Sequence, residues 1–280
     1  MRRLLFSLAI VASVLSACGS TPSAPALTDP KDILTHGAHS LQGLRTAHLK
    51  LGVNGKINPG FVTGSTGGNQ VDLTGTTLEG DLDLVAGAAH VAIAVPGFLG
   101  FEADVLATGA AVYVKTSFDR DGKYRKVDPS LLQGVWPPTA TTVLPSPDSS
   151  AIAAHVSQLL AELDKLPAPT RLADDRIGDQ DCYHVQVKAT GSDLSDVSGL
   201  GTLLKDRLEK AGGTLTVDVW TRKSDYRPTR LVLVIDAGTE GSLTLTVDLT
   251  NDDAPVTIAP PAADKISDQP FSLPQIPFLP

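Results

Sequence analysis

Apolar and polar residues alternate through most of this chain. His48-Leu-Lys-Leu-Gly-Val-Asn54, Gln70-Val-Asp-Leu-Thr-Gly75, Gly80-Asp-Leu-Asp-Leu-Val85 and His90-Val-Ala-Ile-Ala-Val95 repeat with period two. So do Ala110 to Thr116, Tyr183 to Ala189, Thr214 to Trp220, Arg230 to Asp236 and Gly241 to Leu249. Successive strand side chains point to opposite faces, so each segment predicts one apolar and one polar face. That many such segments predict an antiparallel sheet wetted on one side. Asp121-Gly122 and Gly178-Asp179 read as turns between paired segments.

Three segments change to helical spacing. Ile33, Leu34, Ala38, Leu41 and Leu44 form a stripe behind Asp29-Pro30, a helix start. Ile152, Val156, Leu159, Leu160, Leu163 and Leu166 form a second, opened by Asp148-Ser-Ser150 and closed by Pro167. Leu194, Val197, Leu204, Leu208 and Ala211 form a third, between Ser192-Asp193 and Gly212-Gly213. Each stripe is amphipathic and needs an apolar partner, which the sheet supplies. The predicted fold is therefore α+β, a single long, twisted antiparallel sheet with helices on one side. Trp136 to Pro147 reads as a long connection within one domain. After Asn251 the chain turns Pro-rich, which forbids helix and central strand. The tail, residues 259–280, is either disordered or an extended apolar strap; the pattern leaves both open.

The N-terminus changes the picture. Arg2-Arg3, an apolar run from Leu4 to Leu15 and small residues beyond it make a secretory signal. The run is shorter than the ~20 residues that span a bilayer. Leu15-Ser-Ala-Cys18 resembles the bacterial lipobox, which predicts cleavage after residue 17 and a diacylglyceryl group on the Cys18 thiol. Two acyl chains suffice for stable attachment where one does not. Residues 18–30, rich in Ser and Pro, then form a tether, and residues 31–258 form one domain at the extracytoplasmic face of the cell membrane.

Losing residues 1–17 removes two arginines and no acids, so the formal charge moves from −8 to −10. Such a chain does not hold nucleic acid phosphates or adsorb electrostatically to anionic lipid. With the Cys18 thiol lipidated, Cys182 has no cysteine to pair with and reads as a small core residue.

Candidate chemistry is sparse. The sequence has no G-x-S-x-G elbow, P-loop, H-E-x-x-H or paired C-x-x-C. His36 and His39 share a predicted helix without a third metal ligand in view. Asp174, Asp175, Asp179 and Asp181 lack the spacing of a calcium loop and read as solvated hairpin charge, as does Asp119-Arg-Asp-Gly122. Ser65 lies in a glycine-rich bend with no base set to activate it. No catalytic residue, metal or cofactor is called for. With five per cent aromatic residues and a single Met, the core is built from small aliphatics. Such a core either packs solid or leaves an aliphatic-lined space.

Four segments bear on that choice: Leu44-Arg-Thr-Ala-His-Leu-Lys-Leu-Gly-Val-Asn-Gly-Lys-Ile57, Thr77-Leu-Glu-Gly-Asp-Leu82, Gly109-Ala-Ala-Val-Tyr-Val114 and Ala254-Pro-Val-Thr-Ile258. In that order behind a lipobox, and with the strand Val217-Asp-Val-Trp-Thr-Arg222, they resemble the LppX/LprA/LprF/LprG lipoproteins of mycobacteria and related bacteria. The resemblance implies a curved antiparallel half-barrel with helices on its concave side, similar to the lipoprotein carrier LolA. It also implies a cavity for the acyl chains of a lipid or glycolipid, and a carrier without a reaction of its own. A membrane lipid exporter is the partner class this suggests. Two departures are the glycine-rich stretch from Gly60 to Gly68 and the tail after Pro261, which extends beyond the family's usual end.

The expected cavity lining is Val91, Ile93 and Val95 on one strand, Leu82 and Leu84 on its neighbour, and Ile152, Val156, Leu159 and Leu163 on the second helix. Each of these also fits a plain core. Two other classes stay open: a structural or signalling lipoprotein with a filled core that binds a protein, and a surface enzyme built on a scattered residue such as His155.

Overall fold

The computed structural model describes residues 25–63, 69–108, 111–127, 158, 161–162, 165–198, 200–269 and 271. Thirteen strands form one antiparallel sheet, open at both edges. They are β1 (Thr46–Ile57), β2 (Val71–Asp72), β3 (Thr76–Asp83), β4 (Ala88–Val95), β5 (Phe101–Thr108), β6 (Ala111–Thr116), β7 (Arg125–Val127), β8 (Thr170–Arg171), β9 (Asp175–Ile177), β10 (Gln180–Thr190), β11 (Thr214–Arg222), β12 (Pro228–Asp236) and β13 (Gly241–Thr250). Their order is β7-β6-β5-β4-β3-β1-β13-β12-β11-β10-β8, with β2 beside β1 and β9 beside β10. Hairpins build each half, and the long β1–β13 pairing, from His48↔Thr250 to Ile57↔Gly241, joins the halves.

The register shows why the alternation matters. Directly opposed residues share a face, so the pairs Val185–Val219, Val219–Leu231, Leu231–Val247, Val247–Leu51, Leu51–Leu78, Leu78–Ile93 and Ile93–Ala103 make one apolar row across eight strands. The opposite face is mostly polar, with Val232 and Val234 of β12 and Trp220 of β11 among the exceptions. It carries His48–Asp81 (2.9 Å), His90–Asp104 (2.8 Å) and His184–Asp218 (2.8 Å), with His184 stacked on Trp220 at 4.1 Å. The sheet curves around its apolar face, and Gly80 shows how closely the strands approach. A Cβ there would stand 2.0 Å from the His90 carbonyl oxygen, so only glycine lets β3 lie against β4 at that point.

Helices lie on the apolar, concave face. In α1 (Pro30–Ser40), Asp29 caps the first turn by accepting from the Lys31 amide at 2.7 Å, and Pro30 stands at the first helical position. Ile33 and Leu34 of α1 pack on Tyr183, Val185 and Val187 of β10. After the short α2 (Pro59–Thr63), the third helix, α3 (Leu200–Ala211), sets Leu204 and Leu208 against Ala189, Leu215, Ile235 and Leu243. Cys182 is fully buried. Among the described residues no helix is long and apolar enough to cross a membrane.

Several expectations are corrected. The first stripe ends in a 3-10 turn, Leu41–Gly43, and Leu44 reaches the core from beyond it. The third stripe splits into a 3-10 turn, Ser192–Leu194, and α3. Ser198 sits at the break and gives its amide (2.8 Å) and hydroxyl (2.5 Å) to Glu162, which satisfies donors a continuous helix would have used. Gln70 to Gly75 supplies only the two residues of β2, because Asp72 accepts from the Thr74 amide and starts a turn through Gly75 at φ +81°. Strand β5 falls outside the predicted segments: Ala103 and Ala107 are weak markers, and Leu106 sits buried on the opposite, mostly polar face. Of the second predicted helix Gln158, Ala161 and Glu162 are described as helical, while Lys165 and Leu166, also described, already lie in a turn and bend before Pro167.

Both ends of the described chain are fastened. The Leu27 amide donates to the Tyr183 hydroxyl (3.0 Å), Arg171 Nη1 donates to the Leu27 carbonyl (2.8 Å), and the Tyr226 hydroxyl donates to the Pro25 carbonyl. Of the tail, residues 259–269 and 271 are described; the path is extended apart from a 3-10 turn at Ala263–Lys265. It leaves β13 beside Thr46 and reaches the free edge at β7, where Phe271 packs on Ala107, Val112 and Val127.

Candidate functional site

Several apolar residues of the concave face are only partly buried. Val91, Ile93 and Val95 of β4 and Leu82 of β3 are half-buried, as are Leu49, Leu51, Leu78, Leu231 and Val247. Their neighbours in the register are Val105, Leu245 and Gly80, so the face has no charged residue in this central stretch. Leu84 follows the end of β3 in the turn to β4, its amide bonded to the Arg45 carbonyl at 2.8 Å. Leu82 and the three β4 residues thus lie on one surface. Ile152, Val156, Leu159 and Leu163 lie outside the described residues, as does His155.

A cleft of about 670 Å³ opens between helix and sheet at the β10 side. Leu34 of α1 and Val187 of β10 line it, facing Leu166, Pro167 and Pro169 from the segment before β8. Asp29, Lys31 and Thr35 add polar groups. Leu166 also packs against both main core clusters, so the cleft leads toward the layer between helices and sheet. Sequence reasoning did not name these residues as lining. Leu34 and Leu166 were read only as helix stripe positions, and the Pro167-Ala-Pro169 wall has no periodic signal.

The polar candidates are accounted for by structural roles. His36 bonds the Asp32 carbonyl (2.9 Å) and lies against the Tyr226 ring, and His39 is exposed. Asp174 pairs with Arg171 (2.7 Å) and Lys223 (2.8 Å), and the partners hold its carboxyl below the ordinary range against the opposing effect of burial. Asp181 meets Arg176, while Asp119 accepts from Thr116 and Arg125. Among the described residues no three His, Cys, Asp or Glu side chains are grouped to hold a metal. Ser65 lies outside the described residues.

No protein-family model matches the chain, and no curated protein matches it in sequence. Solved structures do match. LprF from Mycobacterium bovis aligns with a TM-score of 0.51 at 21% identity, covering 84% of this chain and 97% of LprF. The Mycobacterium tuberculosis lipoprotein LppX gives 0.50 at 14% identity, covering 82% of this chain and 98% of LppX. The fold is that of LprF and LppX. The half-barrel implied by the four sequence segments is therefore present.

Proposed function

We propose that the protein is a membrane-anchored lipoprotein that binds the acyl chains of a lipid or glycolipid and carries or presents it at the cell envelope. The observation that carries this reading is the uncharged apolar row on the concave face, continuous across eight strands and buried only at its ends, Val185 and Ala103, with Val219 to Ile93 part-exposed between them. Left open to water, such a surface is unfavourable; an acyl chain laid on it gains ~0.8 kcal/mol per buried CH₂. The polar head then stays in solvent, and release needs a movement of the helices or an acceptor for the chain. No proton or nucleophile is required, and the protein is not an enzyme on this reading.

The diacylglyceryl anchor on Cys18 holds the carrier at the extracytoplasmic face, and LppX, of the same fold, is itself a lipoprotein. A membrane lipid exporter is the partner from which such a carrier would load.

Native mass spectrometry with lipid extraction tests the reading on the chain from Gly19 onward, which retains every described element. An adduct of lipid mass, lost on denaturation and recovered in the organic phase, is expected. A bare protein that also refuses added diacyl and triacyl lipids would replace the carrier with a filled half-barrel that serves a protein partner.

A further inference from the structure

The turn between β4 and β5 combines two costs that the molecule does not offset. Val95-Pro-Gly-Phe-Leu-Gly-Phe101 carries no charge, and Leu99 at its tip is 88% exposed. The Phe101 amide closes the turn on the Phe98 carbonyl (2.9 Å), with Leu99 at φ +52° and Gly100 at φ +67°. Such a turn favours Asn-Gly; leucine is strained in the left-handed region. Here it is strained and also left in water. The other left-handed residues apart from glycine have local reasons. Asn251 and Asp253 tolerate the conformation, and Tyr226 is fixed by its ring on His36 and its carbonyl on Ser40.

Aromatic neighbours enlarge the tip. Phe98 touches Phe101 (6.3 Å between centroids), and Phe101 touches Phe118 (5.6 Å), which is itself 44% exposed. Phe101 is the direct partner of Val95, and the next pairs inward are Ile93–Ala103 and Val91–Val105. The tip is therefore the open end of the apolar strip on the concave face.

We propose that this turn is a membrane-docking tip: Leu99, with Phe98 and Phe118 beside it, enters a lipid surface and sets the end of the strip against the acyl layer. A protruding turn suits a fluid apolar layer, since it offers apolar area without side-chain hydrogen bonds to specify a protein pocket. Among the described residues Arg120 and Lys123, in the turn that bears Phe118, form no ion pair, while Asp119 and Asp121 are engaged by Arg125. Glu102 is exposed beside them. From Gly19 onward the formal charge is −10, since the −8 of the full sequence includes Arg2 and Arg3, so the chain is not drawn to anionic lipid as a whole and apolar insertion has to supply the contact. That acyl chains pass over the tip rests on the carrier reading; the docking itself does not.

The test uses the chain from Gly19 onward, floated with phosphatidylcholine–phosphatidylglycerol vesicles. Leu99→Asn relieves the turn, so it is expected to melt at or above the wild-type temperature while its vesicle partitioning falls about tenfold, the loss given by one leucine withheld from lipid. Leu99→Trp is expected to keep partitioning, with an added emission that shifts to the blue on vesicles and is quenched by lipids brominated in the acyl chain. Partitioning unchanged by Leu99→Asn, or an added indole emission in Leu99→Trp that is indifferent to vesicles, overturns the docking tip and leaves the turn to a protein partner. Bound lipid is measured separately on the same preparations. Lipid retained by Leu99→Asn with docking lost supports the tip, and a lipid-free wild type that still docks supports the tip while removing the carrier.

Discussion

Tyr124 and Ile266 form a parallel bridge: the Tyr124 amide donates to the Lys265 carbonyl (2.9 Å) and the Ser267 amide to the Tyr124 carbonyl (2.7 Å). The strap thereby pairs beside β7, beyond which no other described strand lies, and an edge of that kind can recruit another strand. Side chains reinforce the contact. Arg125 donates to Gln269 (3.0 Å) and Ser267 to Asp121 (3.1 Å), and the Tyr124 hydroxyl donates to Asp104 (2.7 Å). Burial and that bond to Asp104 push the Tyr124 phenol up to about 12, so it remains a donor at neutral pH. Prolines, which cannot extend a helix or fill a central strand, suit a segment that must cross from β13 to a distant edge without joining the sheet.

Phe271 makes the strap an energetic part of the fold. It is half-buried on Ala107, Val112 and Val127, so Phe271→Ala is expected to destabilise by about 1–2 kcal/mol, less than the ~3–5 kcal/mol of a fully buried Phe. Denaturant melts measure it. Ending the chain at Pro261 uncovers the edge as well, and light scattering should then show concentration-dependent association. A shortened chain that stays monomeric at high concentration would mean that the strap does not guard the edge.

Gly80→Ala tests the close approach of β3 to β4. The added methyl meets the His90 carbonyl oxygen and, at 2.7 Å, the Val91 Cα; both are backbone, so neither can swing away. A loss of about 3 kcal/mol is expected from thermal or denaturant unfolding. A variant as stable as the wild type would show that the sheet reaches its curvature without this glycine.

The sheet was legible in the sequence because strands such as β1, β10, β11 and β13 alternate, although β12 is apolar on both faces from Leu231 to Ile235. The strand β5 was not, since Ala103 and Ala107 mark its concave side only weakly and Leu106 takes an apolar residue to the other face. Helix starts were readable from Asp29-Pro30, but not the break at Ser198, which depends on a carboxylate from a distant segment. The apolar surface with Leu82, Val91, Ile93 and Val95 followed from period two. The cleft did not, because Leu34, Pro169 and Val187 meet only through tertiary packing. Leu99 in turn carries no periodic signal; its exposure and left-handed backbone are visible only in three dimensions.

Substituting the concave face tests where ligand lies. Val91 and Ile93 are only half-buried, so Val91→Trp and Ile93→Trp are expected to fold with melting temperatures within a few degrees of wild type. Each fills part of the strip. Lipid recovered per protein, weighed by native mass spectrometry, should fall severalfold. Full lipid content in both variants would remove β4 from the site and shift attention to the cleft at Leu34 and Val187.

Glu162 supplies a pH dependence of known sign. The Ser198 hydroxyl and amide, then Lys165, hold its carboxyl down from the ordinary 4.5 to about 2. Because the folded chain resists protonation more than the unfolded one, the contribution is complete above about pH 4.5 and is lost as pH falls toward 2. Other lowered carboxyls, among them Asp104 and Asp119, act in the same direction, so the informative quantity is a difference between variants. Glu162→Gln keeps an acceptor for Ser198 but cannot titrate. Its stability is expected to lie below wild type at neutral pH, with the gap closing on acidification. Denaturation series from pH 7 to pH 2 on both chains read the two slopes, and parallel slopes below pH 4.5 would show that Ser198 does not hold the ionised carboxylate at the break before α3.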